Sequence, residues 1–360
     1  MAKEQRVLRT FNYVKKKGSR VFTSSNDINS NFRLNQIRVG RFRNIFIRFF
    51  YVLVFLELII FRSLNILKIL YLSSKKIKIM KEENFNLLIV EDILLLPIAF
   101  NISKKKIIFD AREYYLEQFE GEFFFQIILK PIYHFILKNY LNKCFSVFTV
   151  SNEIKKLYEK NYKVKVQVLY STPHQNKIKI NLNKNKKIKL IYCGIANRNR
   201  NLEILINLKK ILRNKFSINV MISNRTRYAK NLMHKLKLNK INIIKPVKYS
   251  SLFSSLNNFD IGLICYDPST SKNINYCMPN KLFEYLHSKI PVLSTQIHSV
   301  SKFIIKNNCG LVSKKFHEND LAKILINLNY KKLNNLKKKA YKVSKKFCFE
   351  NESKKLSGCI

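Results

Sequence analysis

The stretch LIYCGIANRNRNLEIL, Leu190–Leu205, reads as a strand, a tight turn and the start of a helix. The apolar run stops at Cys193, Gly194 supplies the turn, and Arg198 and Arg200 stand just before the helical pattern. Arginine at a strand–loop–helix junction can clamp a diphosphate through bidentate hydrogen bonds, although arginine in loops is more often simply solvated. Downstream, the alternation continues. Strands are expected over Ile218–Ser223, Ile241–Lys245, Asp260–Cys265 and Pro291–Thr295. Helices are expected over Asn201–Leu212, Ala229–Leu238, Pro279–Ser288, Leu321–Leu328 and Lys331–Lys346. Continuous apolar strands alternating with helices mean a parallel sheet covered on both faces.

Upstream, TPHQNKIKINLNKNKK (Thr172–Lys187) is polar and carries Pro173, which reads as a linker. Before it a second alternation appears. NLLIVE (Asn86–Glu91), KIIFD (Lys106–Asp110), FSVFTV (Phe145–Val150) and Val164–Tyr170 read as strands. Helical patterns lie between them over Gly121–Leu141 and Ser151–Tyr162, with Ser151 placed to cap the latter. The expected architecture is α/β: two doubly wound Rossmann-like domains facing across a cleft. Residues 1–172 would form the first domain, 173–187 the linker, 188–346 the second domain and 347–360 a tail.

The 360 residues include 68 Lys plus Arg and 22 Asp plus Glu, a formal charge of +46. An apolar fraction of 47% excludes a disordered basic tail. A polyanionic partner is one reading of the charge; compositional drift toward Lys, Asn and Ile is the other, since Lys is spread through the chain. Seven Cys without a C-x-x-C pair argue against a disulfide framework and for reduced thiols. The 17 apolar-rich residues Ile45–Phe61 contain Arg48 and Glu57. That is short for a clean membrane span and reads as a buried helix or one lying at an anionic interface. Walker, dinucleotide, zinc-ligand and nucleophile-elbow patterns are all absent.

MPNKLFEYLHSKIPVLST (Met278–Thr295) is the second informative stretch. A helix opening at Pro279 directs free N–H groups and its positive end outward, where phosphate is stabilised. Lys281 and Glu284 share one face, opposite Leu282 and Leu286. They are either a surface ion pair or ligands, with Glu284 able to accept ribose hydroxyls.

In this order, the segments resemble the retaining GT-B glycosyltransferases of family 4 that build bacterial surface polysaccharides. PNKLFEYLHSKIPVLST is similar to that group's P-x-K-x-x-E-Y-x-x-x-G-x-P-V, and YCGIANRNRNLEILI to its Y-x-G-x-x-x-x-R-G-L-E. FNLLIVEDILLLPIAF with KIIFDAREYYLEQFE resembles its strand–helix–strand leading into D-x-H-E. FTVSNEIKKLYEKNYKVKVQVLYSTP resembles its V-S-x-x-I segment, and RVLRTFNYVKKKGSRVFT its first helix and second strand.

The resemblance implies sugar transfer from a nucleotide diphosphate sugar to an acceptor hydroxyl of a polysaccharide or lipid-linked glycan. Glu284 would hold the ribose. Arg198 and Arg200 would meet the diphosphate, with Gly194 allowing close approach. Asn280 and Lys281 would face phosphate or sugar, and Arg112 and Glu113 would lie near the reacting centre on the acceptor side. Fixed cations would stabilise the leaving diphosphate with no obligatory metal, and no cofactor is expected. The expected setting is cytoplasmic or peripheral on the inner membrane face, against an anionic surface, with no specific nucleic acid.

Three positions depart from the pattern. Tyr276 stands where the E-x7-E pair has its first Glu, and Arg112 replaces the His of D-x-H-E. There is almost no room before Arg6 for the strand that normally precedes the first helix. These departures keep open a degenerate scaffold that binds nucleotide without turnover. A basic nucleic-acid-binding protein is a further alternative, supported by charge alone.

Overall fold

A computed structural model describes residues 5–17, 23–25, 36–38, 81–82 and 86–360, except 104, 119–120, 124, 185–186 and 213. The stretch 45–61 lies outside the described residues. The chain divides into two units, one of Val7–Leu169 with Lys355–Ile360, the other of Tyr170–Lys354 with Met1–Arg6.

In the first unit, α1 (Gln5–Lys16) precedes β1 (Thr23–Ser25) and β2 (Gln36–Arg38), a parallel pair. Then come β3 (Leu87–Val90), α2 (Leu96–Ile102), β4 (Lys106–Ala111), α3 (Lys130–Tyr140), β5 (Ser146–Thr149), α4 (Asn152–Tyr162) and β6 (Val166–Val168). The four strands β3 to β6 pair in chain order, all parallel. Ser151 caps α4, its hydroxyl accepting from Ile154 N at 3.2 Å. A π-helical turn at Phe125–Leu129 leads into α3. Ile108, Phe148 and Leu169 form a buried cluster completed by Leu356 and Cys359.

The second unit begins its sheet with β7 (Ile188–Gly194), followed by α5 (Ile204–Ile211), β8 (Phe216–Ile222), α6 (Arg227–Leu238) and β9 (Asn242–Ile243). The chain continues through α7 (Tyr249–Leu256), β10 (Ile261–Ile264), α8 (Lys272–Tyr276), α9 (Asn280–His287), β11 (Val292–Ser294), α10 (His298–Asn307) and β12 (Gly310–Val312). The unit ends with α11 (Glu318–Ile326), α12 (Tyr330–Lys346) and α13 (Phe349–Glu352), after which α14 (Lys354–Ser357) runs into the residues that belong to the first unit. The strand order is β12-β11-β10-β7-β8-β9, parallel throughout. The order reverses between β7 and β10, and in open α/β sheets the crevice at the carboxyl ends of such a pair receives ligand.

Residues 173–187, read above as a linker, carry no helix or strand where described. They lie along the second unit through side-chain bonds. Asn176 Nδ2 donates to the His287 carbonyl at 3.1 Å, and Asn183 Nδ2 to Asp260 Oδ2 at 3.1 Å. The segment after residue 347 is helical, with Phe349, Glu352 and Leu356 buried. No helix among the described residues is long and apolar enough to cross a membrane.

Candidate nucleotide site and acceptor-side residues

At the reversal point β7 ends on Gly194, and Cys265 and Tyr266 follow β10. Gly194 adopts φ +148°, a conformation that side chains with a Cβ rarely take. A Cβ there would stand 2.9 Å from Lys281 Nζ. The glycine thus makes room for a lysine reaching in from the first turn of α9.

That lysine is buried, and its Nζ has no hydrogen-bond partner among the described residues. Nζ lies 3.7 Å from the Tyr192 ring centroid and 5.1 Å from that of Tyr266. Ring faces stabilise an ammonium by about 0.5–2 kcal/mol. Removing it from water costs several kcal/mol even after relaxation. Burial therefore wins and, with the Arg200 guanidinium beside it, holds the Lys281 amine well below its ordinary pKa.

Arg200 reaches the same place from the single turn Arg198–Arg200. Its Nη1 donates to Tyr266 Oη, and its guanidinium stacks 4.5 Å from the Tyr266 ring centroid. The Tyr192 hydroxyl, which donates to the Ile195 carbonyl at 2.7 Å, lies close to the same guanidinium. The loop between is braced by Asn224, whose amide donates to the Ala196 carbonyl and accepts from Ala196 N, both at 2.8 Å. Asn201, at the glycine position of the R-G-L-E pattern, takes φ +44°. Asn tolerates that left-handed conformation better than most residues.

Helix α9 is not a surface helix. Lys281, Leu282, Phe283, Tyr285, Leu286 and His287 are all buried, so Lys281 is no member of a solvated Lys–Glu pair. Tyr285 ties α9 to the sheet: its Oη accepts from Cys193 N at 2.8 Å and donates to the Leu263 carbonyl at 3.3 Å. Glu284 is half-buried in the same helix. Burial, then its nearby carboxylate, push the Cys193 thiol up to about 12.

Gly194, Arg200, Lys281 and Glu284 are thus brought together. Asn280 is exposed at the start of α9, whose cap Pro279 makes no side-chain bond. Arg198 is exposed too. It lines an open groove of about 550 Å³ with Asn201, Glu203, Tyr228 and Glu318. Tyr276 packs its ring 5.7 Å from His298, and its carbonyl accepts from Ser299 Oγ at 2.9 Å.

In the first unit, Arg112 and Glu113 follow β4. Arg112 Nη2 lies 3.3 Å from Glu91 Oε2, at the end of β3. Tyr158 Oη donates to the Glu113 carbonyl at 2.8 Å and accepts from Tyr115 N at 3.2 Å. Tyr115 Oη donates to the Glu91 carbonyl at 3.0 Å. The turn after β4 is thereby fixed to α4 and to β3. Burial raises the neighbouring Asp92 carboxyl above its usual range, against the opposing pull of Leu94 N and Arg112.

Tyr192, Tyr266 and Glu91 were not singled out from sequence. The signal available was position, because Tyr266 and Glu91 each stand at the carboxyl end of a readable strand and Tyr192 stands two residues before the turn glycine. Among the described residues no three His, Cys, Asp or Glu gather in a way that could hold a metal ion.

Residues 209–349 match the family described as glucosyltransferase 3-like, C-terminal domain. No curated protein matches the sequence. Among solved structures, Anabaena HepE in complex with UDP and glucose aligns at TM-score 0.71 and 10% identity, over 98% of this chain and 95% of that one. WaaG, a glycosyltransferase involved in lipopolysaccharide biosynthesis, aligns at TM-score 0.64 and 14% identity, over 97% and 93%. S. aureus TarM aligns at TM-score 0.61 and 15% identity over 78% of this chain, which spans only 57% of TarM. At these identities the likeness establishes the fold. Residues 209–349 are thus similar to the glucosyltransferase 3-like C-terminal domain, within a chain that has the GT-B fold.

Proposed function

We propose that this chain is a glycosyltransferase that moves a sugar from a nucleotide diphosphate sugar to an acceptor hydroxyl, with retention, in surface polysaccharide or lipopolysaccharide assembly. The observation that carries the reading is the convergence of Arg200 and Lys281 at the carboxyl ends of β7 and β10. A guanidinium and a buried amine side by side, the amine without a hydrogen-bond partner among the described residues, suit a diphosphate. Arg200 and Lys281 would take up the charge that develops on the departing diphosphate, and the N–H groups opening α9 would add to it. Glu284 would accept the ribose hydroxyls, while Asn280 and Arg198 would contact donor from the rim. Arg112, held by Glu91, and Glu113 would serve the acceptor. No step is routed through a metal. A cytoplasmic setting at an anionic membrane surface fits the net charge of +46 and a lipid-linked acceptor.

The test is thermal-shift binding with UDP, GDP and CMP and their sugar conjugates, alongside Glu284→Ala and Arg200→Ala. A ligand held only by the native state raises the melting temperature. The expected result is a shift for one nucleotide that both variants lose. No shift for any nucleotide would overturn the reading, and binding without turnover would favour a degenerate scaffold.

A further inference from the structure

Lys281 is placed where its charge is hardest to keep. Its Nζ is buried without a hydrogen-bond partner among the described residues. The groups around it are Tyr192 and Cys193 of β7, Arg200 of the turn beyond, Cys265 and Tyr266 after β10, and Glu284 on α9 itself. Cys277 stands near Arg200 and Tyr266. The nearest fixed charge on another element is the guanidinium of Arg200, which repels an ammonium. Two aromatic faces and one half-buried carboxylate attract it, but none of them replaces the water that a solvated ammonium holds through three N–H donors.

We propose that Lys281 stands as a neutral amine before nucleotide arrives and takes up a proton as a nucleoside diphosphate binds, so that donor binding is coupled to proton uptake. This rests on the reading of the second unit as a nucleoside diphosphate site. The step is a single proton transfer. The amine lone pair accepts a proton from solvent, the new ammonium faces phosphoryl oxygen, and the proton returns to solvent on release. The diphosphate, with two negative charges in a sugar conjugate and three in the free nucleotide at pH 8.5, outweighs the repulsion from Arg200 and supplies the missing acceptors. Tyr192 and Tyr266 keep the amine and the guanidinium adjacent throughout, and Gly194 leaves space for Nζ.

The experiment is isothermal titration calorimetry of the full chain with UDP and separately with GDP at pH 8.5, in Tris and in Hepes. At that pH the terminal phosphate, with a second pKa of about 6, has no proton of its own to release. The expected result is a binding heat that depends on the buffer's ionisation enthalpy, corresponding to uptake approaching one proton per nucleotide. Affinity should fall up to about tenfold for each unit of rising pH, the slope that linkage gives for one proton. Lys281→Arg and Lys281→Met should each abolish the buffer dependence, because neither side chain can take up a proton in this range. Binding with buffer-independent heat overturns the proposal and leaves the nucleotide reading standing. Uptake that persists in either variant also overturns it, by placing the proton elsewhere. Absence of binding for both nucleotides by a folded chain overturns the proposal and the reading beneath it together.

Discussion

A glycine inside a strand draws little notice in a sequence, and Gly262 in DIGLIC is such a residue. A Cβ there would stand 2.3 Å from the ring of Tyr285, which bonds Cys193 N and the Leu263 carbonyl. Gly262→Ala should cost about 1–3 kcal/mol through overpacking. It should also weaken nucleotide binding, since the displaced ring carries α9 and Lys281 with it. Urea melts and a thermal shift with UDP read the two effects separately. Residue-scale contacts of this kind were hidden in the sequence. Gly194, Arg200 and Glu284 could be marked from strand ends and helix starts. That Lys281 is buried against Tyr192 could not, because a Lys and a Glu three apart look like a solvated pair unless the depth of the helix is known.

Elements were more legible, since apolar periodicity reports which face is covered. The strand read as ending at Cys193 and those read over Ile218–Ser223 and Asp260–Cys265 correspond to β7, β8 and β10 within a few residues. In α12 the same arithmetic holds a detail that is easily passed over. Leu333, Lys337, Ala340 and Ser344 fall on one face, and all four are buried. Lys337 Nζ meets Asp260 Oδ1 at 2.7 Å and the Asn181 carbonyl at 2.7 Å, while Asp260 Oδ2 accepts from Lys189 N at 2.8 Å. Lys337→Met should destabilise by about 3–5 kcal/mol because it strands a buried carboxylate. Adding Asp260→Asn should recover part of the loss, and chemical denaturation of both variants checks it.

At the other end of α12, His287 Nε2 donates to the Phe347 carbonyl at 2.9 Å. Burial, then the positive Lys289, lower the His287 pKa from 6.5 to about 4, although the bond to Phe347 opposes this. Between those values the unfolded chain binds the extra proton and the native chain does not. Stability contributed here is full above about pH 6.5 and falls as pH drops toward 4, by about 3 kcal/mol at most. His287→Gln should flatten that part of the pH profile relative to the native chain.

Over the whole molecule, a net charge of +46 sets the native state against itself. Self-repulsion destabilises a compact chain, and salt screens it over about 10 Å at 0.1 M. The melting temperature should therefore rise as sodium chloride increases from low concentration to about 0.5 M. A flat response would mean that the lysines are spaced widely enough to be independent. The α/β class of both halves was open to sequence reading because each sheet is made of local strand–helix alternation. The return of the last residues to the first unit was not, since nothing in a short polar–apolar ending names a distant partner. Leu356→Ala should test that return by destabilising the first unit by about 2–5 kcal/mol, read by hydrogen exchange in β4 and β5.

That return also imposes an order in time. Ile108, Phe148 and Leu169 share their cluster with Leu356 and Cys359, so the first unit cannot close its core when its own strands leave the ribosome. At about 5–20 residues per second, synthesis of the intervening chain takes roughly ten to forty seconds. Through that interval the nascent first unit presents apolar surface that Leu356 and Cys359 cover only later. The strands of the second unit are all made before that, and a chaperone that shields β4 and β5 meanwhile should raise the yield of folded protein more than one that acts once residues 355–360 are in place.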